Sequence, residues 1–247
     1  MVSAISPSAR PFLTADWINL ALVNYEIDAR LLKEYLPVGT RLDSWNGKTF
    51  LSLESFQFRN TKFLGRSVPF HEHFEQVNLR FYVTDTNSRA AVVYIKEISP
   101  KRLVCWMANS IFQENYERLK MHSVHLAAIP GRSQTVEYYW KTKESWNSIH
   151  AECEGDQKLP SSGSLEEFLL NRNLTVTALP EGGSAFFQME HSAWKFWKAE
   201  AKILIDAEAS FGLQFRDTLE GPCHSAFVSD GSFVRVMKSQ KMERVNV

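Results

Sequence analysis

Long apolar runs are missing from this chain: nowhere do about 18 hydrophobic residues follow one another, so no membrane-spanning helix is expected. Charge of one sign is missing too. Lys plus Arg and Asp plus Glu both number 28, so there is no broad positive field to hold a polyanionic backbone by counterion release, and nucleic acid is not an expected partner. Cysteine is scarce. Cys105, Cys153 and Cys223 are odd in number, far apart and form no CxxC pair, which leaves no zinc ribbon and suits reduced thiols. The stretch MVSAISPSARPFLTADW has no basic start followed by an apolar signal core, so a cytoplasmic protein is expected. Neither a GxSxG nucleophile elbow nor a P-loop or GxGxxG turn occurs.

Apolar and aromatic residues, by contrast, are abundant. With 44% hydrophobic residues, among them 17 Phe and 7 Trp, and roughly 1.5–3 kcal/mol for each large side chain buried, a sizeable core is expected and disorder is not. Repeats, low-complexity blocks and interdomain linkers are absent, so residues 16–240 are read as one domain after a flexible arm over residues 1–15.

Strand patterning dominates. In Trp17–Ile27 the residues Ile18, Leu20 and Leu22 share one face by the two-residue period, with Asn24 at its end. Asp28 caps a short helix over 29–36, stopped by Pro37. Strands are predicted at 49–58, 73–84, 89–98, 121–127, 134–141, 146–154, 174–179, 185–191 and 198–204, with a loop at 155–163. Helices are predicted at 103–118, at 165–171 with Ser164 and Glu167 as a capping box, and at 206–213. A terminal hairpin is predicted, with strands 225–228 and 233–237 about a turn at Asp230-Gly231.

Polar residues interrupt several of these faces. Glu54 stands on a strand beside Phe50, Phe56 and Phe58, where desolvation would raise its pKa toward that of a useful acid or base; facing outward, it is a solvent-side glutamate. Asn78 and Arg80 share the face opposite Val77, Leu79 and Phe81. If that face lines a cavity, Arg80 offers a donor fork to a carboxylate and Asn78 orients it; if it faces water, both are surface. His71 and His73 would point the same way on an extended segment, but no third ligand stands at motif spacing, so neither metal nor other cofactor is expected. His191 lies on an apolar face with Phe187 and Met189, as a hydrogen-bonded core residue or a base. Cys105 beside Trp106 is read as packing.

The segments NYEID, LPVGTRLD, FLSLESF and FEQVNLRFYV, with weaker echoes in FLLNRN, EHSAW and SDGSFV, follow an order that resembles the acetoacetate decarboxylase-like superfamily, and more closely its uncharacterised YqjF-like branch. The resemblance spans more than 200 residues. It implies a mainly β, single-domain, double-layered antiparallel barrel or cone with a few short helices and an internal cavity. Arg172 and His191, in the weaker echoes, are implied as cavity-lining residues, and Glu54 matches a glutamate that those decarboxylases carry. Two departures stand out. Their Schiff-base lysine sits in a Pro-Lys-Lys-Leu motif, and its place here falls within Glu114–Leu119, putting Tyr116 where the amine nucleophile would be. Lys101, in Ser99-Pro100-Lys101-Arg102-Leu103, belongs to a different turn. Asn24 stands where the decarboxylases carry an arginine.

Tyrosine forms no imine with a ketone, so it supplies no electron sink of the kind used to decarboxylate a β-keto acid, although it can donate a proton or hold an oxyanion. The expected function is therefore an internal pocket for a small oxo or hydroxy acid or a hydrophobic molecule. Three readings stay open: a lyase-like enzyme with Glu54, Arg80 and Tyr116 catalytic and Asn24, Asn78, Arg172 and His191 at the ligand, a non-catalytic binder, or a cone filled by its own side chains. The sequence does not fix the oligomeric state and leaves a homo-oligomer open.

Overall fold

A computed structural model describes residues 10–130 and 133–241. In chain order the strands are β1 (Leu13–Glu26), β2 (Thr40–Leu42), β3 (Phe50–Phe63), β4 (Arg66–Ser67), β5 (Phe74–Asp85), β6 (Ala90–Ser99), β7 (Tyr116–Arg118), β8 (Lys120–Leu126), β9 (Thr135–Lys141), β10 (Trp146–Lys158), β11 (Leu174–Ala178), β12 (Ser184–His191), β13 (Phe196–Leu204), β14 (Ser225–Val236) and β15 (Gln240–Lys241). Short helices are α1 (Ala29–Leu32), α2 (Arg102–Met107), α3 (Leu165–Leu170), α4 (Ala207–Phe211) and α5 (Arg216–Leu219).

The strand path β12-β11-β6-β5-β3-β1-β14 closes on itself because β14 also pairs with β12. Closure removes the exposed edges that an open sheet would present. From β14 the sheet continues through β13, β10, β9 and β8, and this second layer folds back over the barrel wall. Ala21, Val23, Leu51, Leu53, Val77, Leu79 and Phe81 from the barrel meet Val136, Tyr138, Trp140, Ile149 and Ala151 of the second layer in the largest apolar cluster. Most pairings are antiparallel, with β6 running parallel to β7 and β11.

Strands in this wall are therefore buried on both faces, and their alternation separates an interlayer core from the barrel interior rather than core from water. The interior is filled in two places. Leu22, Phe50, Tyr82, Val92 and Phe227 pack against Leu169 and Leu170 of α3 toward one end. Trp17, Phe56, Phe58, Phe74, Met189 and Trp194 line the other, where Trp17 stacks on Phe56 at 4.4 Å and Phe58 on Phe74 at 4.4 Å.

Several sequence expectations are corrected. The predicted helix 103–118 ends early: α2 passes into a π turn over Ala108–Phe112, Gln113 takes φ 57°, and Tyr116–Arg118 become β7. The Asn109 side chain causes this return by accepting from Tyr116 N at 2.7 Å and donating to Tyr116 O at 2.8 Å. The predicted loop 155–163 is strand up to Lys158, with Gly155 at φ 63° in an irregularity of the β10–β13 register. The terminal hairpin does not form. Asp230-Gly231 lies inside the continuous β14, which pairs with β1 from Leu13↔Val236 to Asn24↔Ser225. Of the expected N-terminal arm, residues 1–9 lie outside the described residues, whereas Leu13–Ala15 open β1.

Candidate functional site

Cross-strand register gathers the polar residues of the barrel interior into rows. Glu54 on β3 opposes Asn78 on β5, which opposes Glu97 on β6, which lies beside Tyr116 on β7; one step along, Asn24, Ser52, Arg80 and Tyr94 form the neighbouring row. A bulge in β6 makes this possible. Leu79 pairs with Lys96 while Arg80 pairs with Tyr94, so Ile95 is extra and Tyr94 and Glu97 come to the same face.

Glu54 and Arg80 form a closed pair. Arg80 Nη1 is 2.8 Å from Glu54 Oε1, and both side chains are almost wholly buried. Arg80 Nη2 donates to the Leu169 carbonyl at the end of α3 at 3.0 Å, and Glu54 Oε2 accepts from Asn78 at 3.2 Å and from the Tyr94 hydroxyl at 3.3 Å. Burial would pull the Arg80 pKa down, but the Glu54 charge, with Tyr82 and Tyr94, raises it above its ordinary value. The guanidinium is thus fixed, charged and occupied. Glu54 borders a void of about 10 Å³, roughly one water's worth.

The larger space lies beside this pair. A cavity of about 110 Å³ is walled by Phe12, Trp17, Phe56, Phe58, Phe63, Phe74, Phe112, Phe187 and Met189, with Val104, Met107 and Ala108 of the α2 segment over it. Its polar side consists of Gln76, Asn78, Tyr94, Glu97, Glu114, Tyr116 and Thr175. By the room a water needs, it holds roughly seven to ten waters, enough for a ligand of about ten non-hydrogen atoms. No lysine, arginine or histidine is among the lining residues.

Of the seven residues singled out from sequence, Asn78 and Tyr116 reach this cavity. Glu54 and Arg80 stand behind its wall. Asn24 accepts from Ser52 Oγ at 2.6 Å and donates to Ser225 Oγ at 3.2 Å. Arg172 pairs with Asp43 at 2.7 Å, bonds the Phe168 carbonyl and lies over the Phe168 ring, fastening α3. His191 stacks on Trp194 with its Nδ1 2.8 Å from Ser192 O, and burial holds its pKa below the usual value. Sequence reasoning did not single out Gln76, Tyr94, Glu97 or Glu114. Glu97 escapes because strict alternation assigns it to the face of Val93 and Ile95; a charge among those two β-branched residues was the available signal.

Glu97 is the chemically distinctive group. Its Oε2 accepts from Gln76 Nε2 at 2.8 Å, while its Oε1, in a side chain 3% exposed, has no hydrogen-bond partner among the described residues. Gln76 Nε2 also donates to the Tyr116 hydroxyl at 2.9 Å, and that hydroxyl lies against the Glu97 carboxyl. Burial, then the Glu114 charge, pushes Glu97 well above the carboxylate range. Glu114, half-buried in the same cavity wall, is raised by burial to about 8. Tyr116 is raised by burial and by both glutamates. Burial thus favours the protonated form of every acid at this end of the cavity. Cys105, the buried residue of α2, is pushed up to about 11 by burial, which suits packing and not nucleophilic attack. Among the described residues no three His, Cys, Asp or Glu side chains form a metal site. His71 bonds the Pro69 carbonyl and His73 accepts from Asn60 N.

The acid pair links stability to pH with a definite sign. Both glutamates bind protons more tightly folded than unfolded, so the folded state holds more protons between about pH 4.5 and 8 and loses stability as pH rises through that window. The urea midpoint is expected to fall from pH 5 to pH 8.5. Glu114→Gln is expected to flatten that slope and stabilise the protein at pH 8.5 by about 1–2 kcal/mol. An unchanged slope in the variant would show that the pair does not carry the raised proton affinity.

No curated protein matches this sequence. Solved structures with the same fold include an acetoacetate decarboxylase-like enzyme from Sphingomonas wittichii RW1, 13% identical with 99% of each chain covered and a TM-score of 0.66. They also include acetoacetate decarboxylase from Legionella pneumophila, 10% identical over 100% of this chain and 95% of that one, with a TM-score of 0.67. The enduracididine biosynthesis enzyme MppR, solved with pyruvate, is 12% identical over 98% and 93%, also at 0.67. No helix among the described residues is long and apolar enough to cross a membrane. The β cone with its double layer is thus the acetoacetate decarboxylase-like fold, and because residues 14–232 match the DUF2071 family of uncharacterized conserved proteins, the chain belongs to that family.

Proposed function

We propose that this protein holds a small, largely hydrophobic organic molecule inside its barrel, with the polar head of that molecule at Glu97 and Tyr116, where a proton can be exchanged without an imine. One observation carries the reading: an aromatic cavity ends on a carboxyl group with a free Oε1. Buried polar atoms are ordinarily satisfied, so an unpartnered carboxyl oxygen on a residue of the cavity wall supports a ligand bound there. The fold supports this, since one solved neighbour is described as complexed with pyruvate and another as an acetoacetate decarboxylase.

Of the two ligand types expected, the hydrophobic one is better supported. A carboxylate needs a cation, none lines the cavity, and Arg80 is taken by Glu54 and the Leu169 carbonyl. In this reading Glu54 and Arg80 position Asn78 and Tyr94, Arg172 and Asn24 brace the closed end, and His191 supports the Trp194 wall. Residues 16–240 act as one domain, since β1 pairs with β14 across the length of the chain. The three free cysteines suit a cytoplasmic site of action, and the balanced charge supports no nucleic-acid partner. A purely binding role is favoured by the raised proton affinity of Glu97 and Glu114, which makes either a poor ionised base at neutral pH.

Native mass spectrometry of freshly purified protein is expected to show a co-purifying molecule, and Tyr116→Phe to lower its occupancy about tenfold, the worth of one buried hydrogen bond. An empty chain with no thermal shift across a broad ligand panel would sink the pocket. Borohydride treatment with acetoacetate is expected to leave no adduct; a labelled Lys101 would overturn the imine-free chemistry.

A further inference from the structure

Glu97 and Glu114 border a second space as well. A cavity of about 220 Å³, lined also by Glu34, Tyr35, Gln113 and Asn115, meets the aromatic one at Tyr94, Glu97 and Glu114. The two carboxyl groups are therefore the wall shared by two hollows. Neither hollow is lined by lysine, arginine or histidine, and exposed Glu34 adds a third carboxyl to the lining of the second. A small-molecule head group arriving there meets acids, amides and phenols, but no positive side chain.

Resting on the pocket reading above, we infer that the head group is a basic nitrogen, a protonated amine or amidine, seated between Glu97 and Glu114 with its apolar body among Phe58, Phe74 and Phe112. A protonated nitrogen gives up N–H donors to these carboxyl groups, including the Glu97 Oε1 that has no partner among the described residues, and turns one of them into its own counter-charge. The aromatic faces add attraction for the same charge. A carboxylate in that place finds no positive side chain in either hollow, so its charge stays buried without a counter-ion, which selects against it. A neutral hydroxyl gains hydrogen bonds alone. When an ammonium ion docks, one glutamate of the pair releases its proton to solvent and becomes the counter-charge; apart from that O–H bond nothing is made or broken.

Three probes of matched size separate these cases: 2-phenylethylamine, 2-phenylethanol and 3-phenylpropanoate, each titrated into the full chain and followed by intrinsic fluorescence and thermal shift. The amine is expected to bind at least tenfold more tightly than the alcohol, and the carboxylate not to bind. In Glu97→Gln and Glu114→Gln the amine-to-alcohol affinity ratio is expected to collapse toward one, and both variants are expected to fold at least as stably as the native chain. Alcohol or carboxylate binding as tight as that of the amine overturns the inference and leaves the pocket standing. So does an affinity ratio unchanged in both variants. If no probe binds, the amine inference falls, and the pocket reading falls with it when native mass spectrometry also finds the chain empty.

Discussion

Arg80→Met is expected to cost the fold about 3–5 kcal/mol, because it leaves the Glu54 carboxylate buried with no counter-charge. The Leu169 carbonyl at the end of α3 also loses its Nη2 donor. Glu54 Oε1 then lacks its partner while Oε2 keeps Asn78 and Tyr94. Glu54→Gln is expected to cost a comparable amount by stranding the guanidinium, whose Nε already has no hydrogen-bond partner among the described residues. The Glu54→Gln, Arg80→Met double variant should recover most of the loss, because replacing a buried ion pair as a whole is often close to neutral. Urea denaturation of all four proteins closes the cycle. Additive losses, with no coupling between the two positions, would show that the pair is not the tie that the geometry makes it.

The same pair shows what the sequence discloses and what it withholds. Strand period two places Glu54, Asn78 and Arg80 on polar faces, and the register brings all three together inside the barrel. Alternation alone does not say that Arg80 is consumed by Glu54, because a contact between neighbouring strands depends on register, and register depends on the whole sheet. Glu97 is hidden by a finer effect: the extra Ile95 turns it to the opposite face from the one that counting by twos assigns. Glu114 and Tyr116 depend on where the helix stops, which is decided by the Asn109 side chain grasping the backbone of Tyr116. The apolar period through Phe112 carries no trace of that stop. Strand existence is thus legible from local pattern. The polar end of the cavity is built from a bulge and a helix stop, two irregularities that local pattern averages away.

Gly231→Ala is expected to cost about 3 kcal/mol or more, lowering the thermal midpoint by roughly 6–12 °C for a chain of this size. Asp230-Gly231 has the dipeptide signature of a tight turn, yet here the glycine serves a close approach between strands. It opposes Ile18 in the β1–β14 ladder with φ 82°, and a Cβ there would sit 1.9 Å from the Trp17 carbonyl oxygen and 2.6 Å from Leu20 Cδ1. Backbone atoms cannot turn aside as a flexible side chain does, so β1 must move. Gly47 and Gly163 provide the comparison: they have φ 78° and 74° with open space around them, so Gly47→Ala and Gly163→Ala are expected to cost only the left-handed strain of about 1 kcal/mol. Trp17 stacks on Phe56 and lines the aromatic cavity, and so the displacement also reaches the candidate site. Gly231→Ala should therefore lose the co-purifying molecule as well as stability, whereas the two surface variants keep it. Equal stability losses at all three glycines would mean that β14 does not press on β1 at this point, and that the barrel closes here with slack.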